Sequence, residues 1–310
     1  MQAALSGYLA IAVIVAAGWL AAHLRVLDDN ARRVLSRTAF MVAAPVLLFT
    51  LVARADLKHL FSATVIVSAL AIVSVLGLYL VVGRLWLGSR PVQPQVIGAL
   101  CSGYTNAGNL GLPIAAYVLG DMTWMAPILL IQVVILQPTA LALLDATGSD
   151  PATSGRRWWY YLSLPIRNPL TVGTVAGLVV NALHVPVPEP VWSPAVMLGA
   201  VAVPAMLLAF GISLRLDPLP GRGAHAPELL LVSVLKVLVQ PAVAYGLARW
   251  FGLAVDQVLA VTVIAALPTA QNIFVIASRY RVGYRLSRDA IFISTLASIP
   301  VIIAASTWLR

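Results

Sequence analysis

The chain has little charge. Asp, Glu, Lys and Arg make up only 10% of its 310 residues, against about 25% in an ordinary soluble globule, and its mean hydropathy is +0.94. An ordinary soluble domain is excluded. It has a single cysteine, Cys101, so neither a disulfide framework nor a CxxC redox or zinc pair is available. His23, His59, His184 and His225 stand apart, without metal-ligand spacing. No GxSxG, HExxH, P-loop or GxGxxG occurs in a suitable context, which leaves enzymatic chemistry without a constellation and implies no cofactor. The formal net charge of +9 has no basic, aromatic-interleaved soluble patch behind it, so a nucleic-acid partner is not indicated. The opening stretch MQAALSGYLAIAVIVAAGWLAAHL lacks the basic n-region of a signal peptide and is expected to be retained as a first span.

What the chain has is hydrocarbon: 61% of its residues are hydrophobic. Windows of about 20 apolar residues fall at 5–24, 34–53, 60–82, 95–119, 123–145, 165–184, 191–213, 227–251, 255–278 and 289–309, predicting ten transmembrane helices in an all-α integral membrane protein embedded in the lipid bilayer. Cytoplasmic loops retain Lys and Arg. With the N-terminus outside, the inner loops hold Arg25, Arg32, Arg33, Arg37, Arg84, Arg90, Arg156, Arg157, Arg167, Arg215, Arg222, Arg279, Arg281, Arg285 and Arg288. The outer side keeps only Arg54, Lys58, Arg249 and Arg310, so both termini are predicted outside a cell membrane. A polar stretch, DATGSDPATSGRRWWYY, divides a first repeat at 1–146 from a second at 165–310, with 147–164 as a cytoplasmic linker.

The halves echo one another: AAPVLLFTL around Pro45 resembles VPAMLLAFG around Pro204, and a polar break near Asn109 matches one near Pro268. Five spans per half is odd, so the second copy enters the membrane from the opposite face, which gives two inverted five-helix repeats. The breaks, NAGNLGLP at 106–113 and PTAQN at 268–272, sit where a lipid-facing helix should be pure hydrocarbon. A backbone interrupted there is tolerated only against protein or a wet cavity.

Gly108, Gly111, Pro113 and Pro268 are therefore read as the residues that break the helices. Asn106, Asn109, Thr269, Gln271 and Asn272 offer polar groups for the freed backbone or for a substrate, the amides serving as both donors and acceptors. Lys236, in mid-span, is the remaining candidate for the site. It could neutralise carbonyl ends at the break, attract an anion, or carry a proton.

Asn106 with Gly111-Leu112-Pro113, Arg167-Asn168-Pro169, Lys236 with Gln240-Pro241, and ALPTAQNIFVIASRY ending at Tyr280 together give the chain a pattern that resembles the auxin efflux carrier family, which includes plant auxin exporters and bacterial permeases for malate and malonate. The resemblance covers nearly the whole chain. It implies an architecture of the sodium/proton-antiporter and bile-acid-transporter kind, with broken helices four and nine crossing beside the substrate carboxylate. It also implies a scaffold of helices one, two, six and seven, and a homodimer through helices two and seven. The chain departs from the plant proteins in its short linker and in polar Gln271-Asn272. The expected function is secondary active transport of a small organic acid, a mono- or dicarboxylate including auxin-like acids, by an elevator-type alternating-access mechanism. The alternatives are a cation-coupled exchanger with Lys236 as proton carrier, and a non-transporting membrane receptor or scaffold.

Overall fold

A computed structural model describes residues 2–54, 62–111, 114–120, 124–147, 169–218, 220–221 and 225–309. The central linker at 147–164 and the Arg167-Asn168 pair lie outside these residues, apart from position 147. All extended elements among the described residues are helical: α1 (Gln2–His23), α2 (Asp29–Ala53), α3 (Ala63–Trp86), α4 (Val92–Gly103), α5 (125–146), α6 (Pro169–Ala182), α7 (Glu189–Leu216), α8 (Ala226–Trp250), α9 (Val255–Ala266), α10 (Asn272–Tyr280) and α11 (Tyr284–Trp308). Of these, α2, α3, α7, α8 and α11 are long and apolar enough to cross a membrane, and 131–146, 169–182 and 255–266 are shorter apolar helices.

Several helices begin before the apolar windows do. The Asp28 carboxylate accepts the Ala31 N–H at 2.8 Å, and Asp29 pairs with Arg32 and Arg33, so α2 starts with a polar first turn. The start of α11 at Tyr284, ahead of the expected span at 289–309, takes Arg288 out of the expected loop and into the helix beside Asp289, where both are fully buried. They bond each other at 2.6 Å, the Arg288 guanidinium also donates to Pro218 O, and the Asp289 carboxylate is 2.8 Å from His225 Nε2.

Prolines shape three of the helices. Pro45, Pro138 and Pro241 each lack the N–H that the preceding turn needs, and each follows a wider π-helical turn, at Ala39–Ala43, Ile131–Leu136 and Leu235–Val239. Phe40, Gln132 and Lys236 occupy the second position of these turns, and all three side chains are buried.

Close backbone contact joins α1, α2, α6 and α7. A Cβ on Gly211 would lie 2.1 Å from Val15 O, and one on Gly173 2.1 Å from Pro45 O, so α7 seats on α1 and α6 on α2 with no side chain between them. The other helices pack among themselves: α3 against α4 and α8, α8 against α9, and α11 against α8, α9 and α10. A buried charge cluster ties this second group together. Tyr79 donates to Glu228 Oε1 at 2.6 Å and Arg90 to Glu228 Oε2 at 2.7 Å, and Gly98 makes room for the Tyr79 hydroxyl and the Glu228 carboxylate. The hydrogen bond and charge of Glu228 hold the Arg90 guanidinium above its ordinary pKa.

Candidate functional site

The two interrupted segments cross. After α4 ends at Gly103 the chain runs extended through Thr105, and after α9 ends at Ala266 it runs extended through Thr269. The two stretches pair antiparallel, with Asn106 N–H donating to Pro268 O at 2.8 Å and Ala270 N–H to Tyr104 O at 3.2 Å. Each break thus supplies hydrogen-bond partners that the other lost, which is how irregular backbone survives inside an apolar bundle. Neighbouring helices satisfy the donors left over. Thr105 N–H donates to Gln132 Oε1 at 2.7 Å and Thr269 N–H to Ser294 Oγ at 3.1 Å.

A broken helix leaves negative carbonyl ends on one side of the break and positive N–H ends on the other. Here the two kinds of end are treated differently. Gln240 Nε2 donates to Gly103 O at 3.2 Å, and Lys236 Nζ is 3.4 Å from Ala265 O. Lys236 also donates to Thr105 Oγ1 at 2.9 Å and to Gln240 Oε1 at 2.5 Å, with no exposed surface. Its three acceptors match the three N–H groups of an ammonium. The carbonyl side is thus closed by the buried Lys236 amine and the Gln240 amide.

The starts of the continuing segments, Ala107–Gly111 and α10, face a cavity with about 740 Å³ of unfilled space, open solvent included. Asn106, Gly108, Gln271 and Asn272 line it, as do Tyr104, Gln132 and Gln137. The opposite wall is apolar, with Leu47 and Leu48 from α2, Leu170 from α6, and Val203 and Met206 from α7. No acidic side chain lines the cavity among the described residues.

Among the sequence candidates, Asn106, Gly108, Gln271 and Asn272 come together at the cavity. Lys236 and Thr269 lie behind the crossing, where Thr269 Oγ1 donates to Cys101 O at 2.7 Å. Gly111 is a packing position: a Cβ there would lie 2.8 Å from Met125 Sδ and 3.1 Å from Leu267 Cδ1. Pro268 supplies the carbonyl that Asn106 uses. Pro113 and the Asn109 side chain lie outside the described residues.

Sequence reasoning passed over Tyr104, Gln132 and Gln137. Tyr104 Oη and Asn272 Nδ2 both donate to Gln137 Oε1, at 3.1 and 3.0 Å, which orients the Asn272 amide so that its Oδ1 is left without a partner among the described residues. Gln132 is oriented likewise. Because its Oε1 holds the Thr105 N–H, its Nε2 is a buried donor with no partner among the described residues. Two glutamines inside the predicted span 123–145 were the available signal, since polar groups in hydrocarbon tend to be functional.

Crossed, interrupted helices that present paired-off backbone and spare amide groups to a cavity in an apolar bundle are the anatomy of a membrane carrier. The family model described as "Membrane transport protein" matches residues 4–149 and 161–305. The chain belongs to this family, the auxin efflux carrier family, and is a multi-pass membrane transporter of small molecules. It is similar to a Rhizobium meliloti (strain 1021) protein named "Putative malonate transporter", with 27% identity over 296 residues, 92% of this chain and 89% of that protein. It is also similar to an "Uncharacterized transporter" of Methanothermobacter thermautotrophicus, with 27% identity over 304 residues, 94% of this chain and 93% of that protein.

Proposed function

We propose that this protein is a secondary active carrier of a small organic anion, a mono- or dicarboxylate of about the size of malonate. The observation that carries this reading is the polarity of the crossing. Both positive helix starts and Gln132 line the cavity, with Gln132 Nε2 a buried donor that has no partner among the described residues, while the negative helix ends are closed off by Lys236 and Gln240. A carboxylate at the helix starts gains from the dipole and from charge-assisted hydrogen bonds. The relative named for malonate supports the dicarboxylate choice.

Ten spans in two inverted five-helix repeats, 1–146 and 165–310, suit the antiparallel crossing. The close packing of α1, α2, α6 and α7 supports an elevator in which these helices form the scaffold and the rest carry the site past the apolar wall. Both termini lie outside the cell membrane in this reading, and a homodimer forms through helices two and seven. Lys236 acts as a tethered cation that stands where a coupling ion would otherwise be needed. A potential negative inside then drives anion export, by about 2.3 kcal/mol per charge per 100 mV. Purified protein in liposomes should give saturable counterflow of a labelled dicarboxylate that depends on Asn272. Absence of saturable flux for every mono- and dicarboxylate tested would reject the carrier reading in favour of a receptor or scaffold.

A further inference from the structure

A second, wider hollow, with about 1790 Å³ of unfilled space including open solvent, lies at the arginine-rich end of the bundle. Arg32, Arg33 and Arg37 of α2 line one side, and Arg279 and Arg281 at the end of α10 line the other. No carboxylate lines it among the described residues. Asp29 pairs with Arg32 and Arg33, and Asp217 takes Arg32 at 3.1 Å. Arg37, Arg279 and Arg281 are exposed and have no ion-pair partner among the described residues. Phe40 and Val275 line both hollows, so a buried phenylalanine ring stands in the wall that the wide one shares with the narrow one.

We propose that this vestibule is a second anion site, which gathers soluble dicarboxylates ahead of the crossing and favours doubly over singly charged acids. The proposal rests on the carrier reading. A concave wall of one charge raises the local concentration of counter-ions by roughly 10 to 10³ and loses the effect with salt. Because enrichment is exponential in ligand charge, a vestibule that concentrates a monoanion about 3-fold concentrates a dianion about 10-fold. Bilayer headgroup phosphates share the anion's chemistry, and the vestibule is assigned to the soluble acid.

The test measures initial rates in proteoliposomes of phosphatidylcholine alone, with malonate or acetate offered on the arginine-rich side. The triple variant Arg37→Gln, Arg279→Gln, Arg281→Gln should raise KM about 10-fold for malonate and about 3-fold for acetate, with the maximal rate retained. Wild-type KM for malonate should rise by a similar factor in high salt. The triple Lys variant keeps the charge and should keep the wild-type KM, which separates charge from folding. Equal KM shifts for the two acids, or a wild-type KM indifferent to salt, would overturn the vestibule while leaving the carrier intact. An arginine dependence that emerges only when anionic lipid is added would assign the guanidiniums to headgroups and also overturn it. No flux of either acid in the wild type would instead reject the carrier reading itself.

Discussion

Gln132→Glu separates the two tasks of a single side chain. The substitution keeps an oxygen where Thr105 N–H needs an acceptor, at 2.7 Å in the native protein, so the crossing retains its hydrogen bond. It replaces the buried Nε2 donor with a second carboxylate oxygen in the cavity wall. A hydrogen bond to a charged group contributes about 1.5–3 kcal/mol, so losing the donor alone weakens anion binding by roughly 10- to 150-fold, at about 1.4 kcal/mol per tenfold. Repulsion between the new carboxylate and an anionic substrate adds to that loss. The assay is a thermal shift with malonate, which reads affinity because a ligand stabilises only the state it binds, together with the apparent KM for counterflow. The unliganded melting temperature should fall, because the new carboxylate is buried without a cation beside it, so the reading is the increment that malonate adds in each protein. Wild-type malonate affinity in Gln132→Glu would refute the idea that the free amide faces the substrate. Gln132→Ala removes the acceptor as well and should lower unliganded stability by about 1–3 kcal/mol.

Lys236→Met leaves Thr105 Oγ1, Gln240 Oε1 and Ala265 O without their shared cation and should abolish transport; flux that persists with unchanged voltage dependence would rule out the tethered cation. Arg90→Gln strands the buried Glu228 carboxylate and should destabilise the protein by about 3 kcal/mol, the low end for a broken buried pair because the Arg90 side chain is 29% exposed. A melting temperature within a degree of wild type would count against that cluster as a structural tie. Gly211→Leu would drive a side chain into Val15 O, where even a Cβ would lie 2.1 Å away; it should separate α1 from α7 and sharply reduce the yield of folded protein in detergent, as read by size-exclusion chromatography.

The broken segments were legible in the sequence because Gly and Pro side by side with amides in hydrocarbon interrupt a helix and need a polar surrounding to survive. NAGNLGLP and PTAQN therefore led to Asn106, Gly108, Gln271 and Asn272, which line the cavity. Helix ends were harder to read from hydropathy: it cannot foresee that Arg288 and Asp289 satisfy each other inside α11, or that Asp28 starts α2 outside the apolar run. Lys236 was recognisable as a cation needing acceptors, but only the fold turns it toward the ends of α4 and α9 instead of the cavity. Gln132 and Gln137 went unmarked because no glycine accompanies them within the predicted span. The clue was Pro138, which like Pro45 and Pro241 widens the preceding turn and fixes where the buried residue within it points.

The carrier reading turns on whether the positive ends of two crossed half-helices, with the amides beside them, hold a small carboxylate. Equilibrium binding of labelled malonate to the purified wild type, Gln132→Glu and Asn272→Ala proteins in detergent decides this without depending on transport. Binding should be saturable in the wild type and weakened at least about 10-fold in both variants. Equal malonate affinity in all three proteins, or no saturable binding of any carboxylate to the wild type, would contradict it.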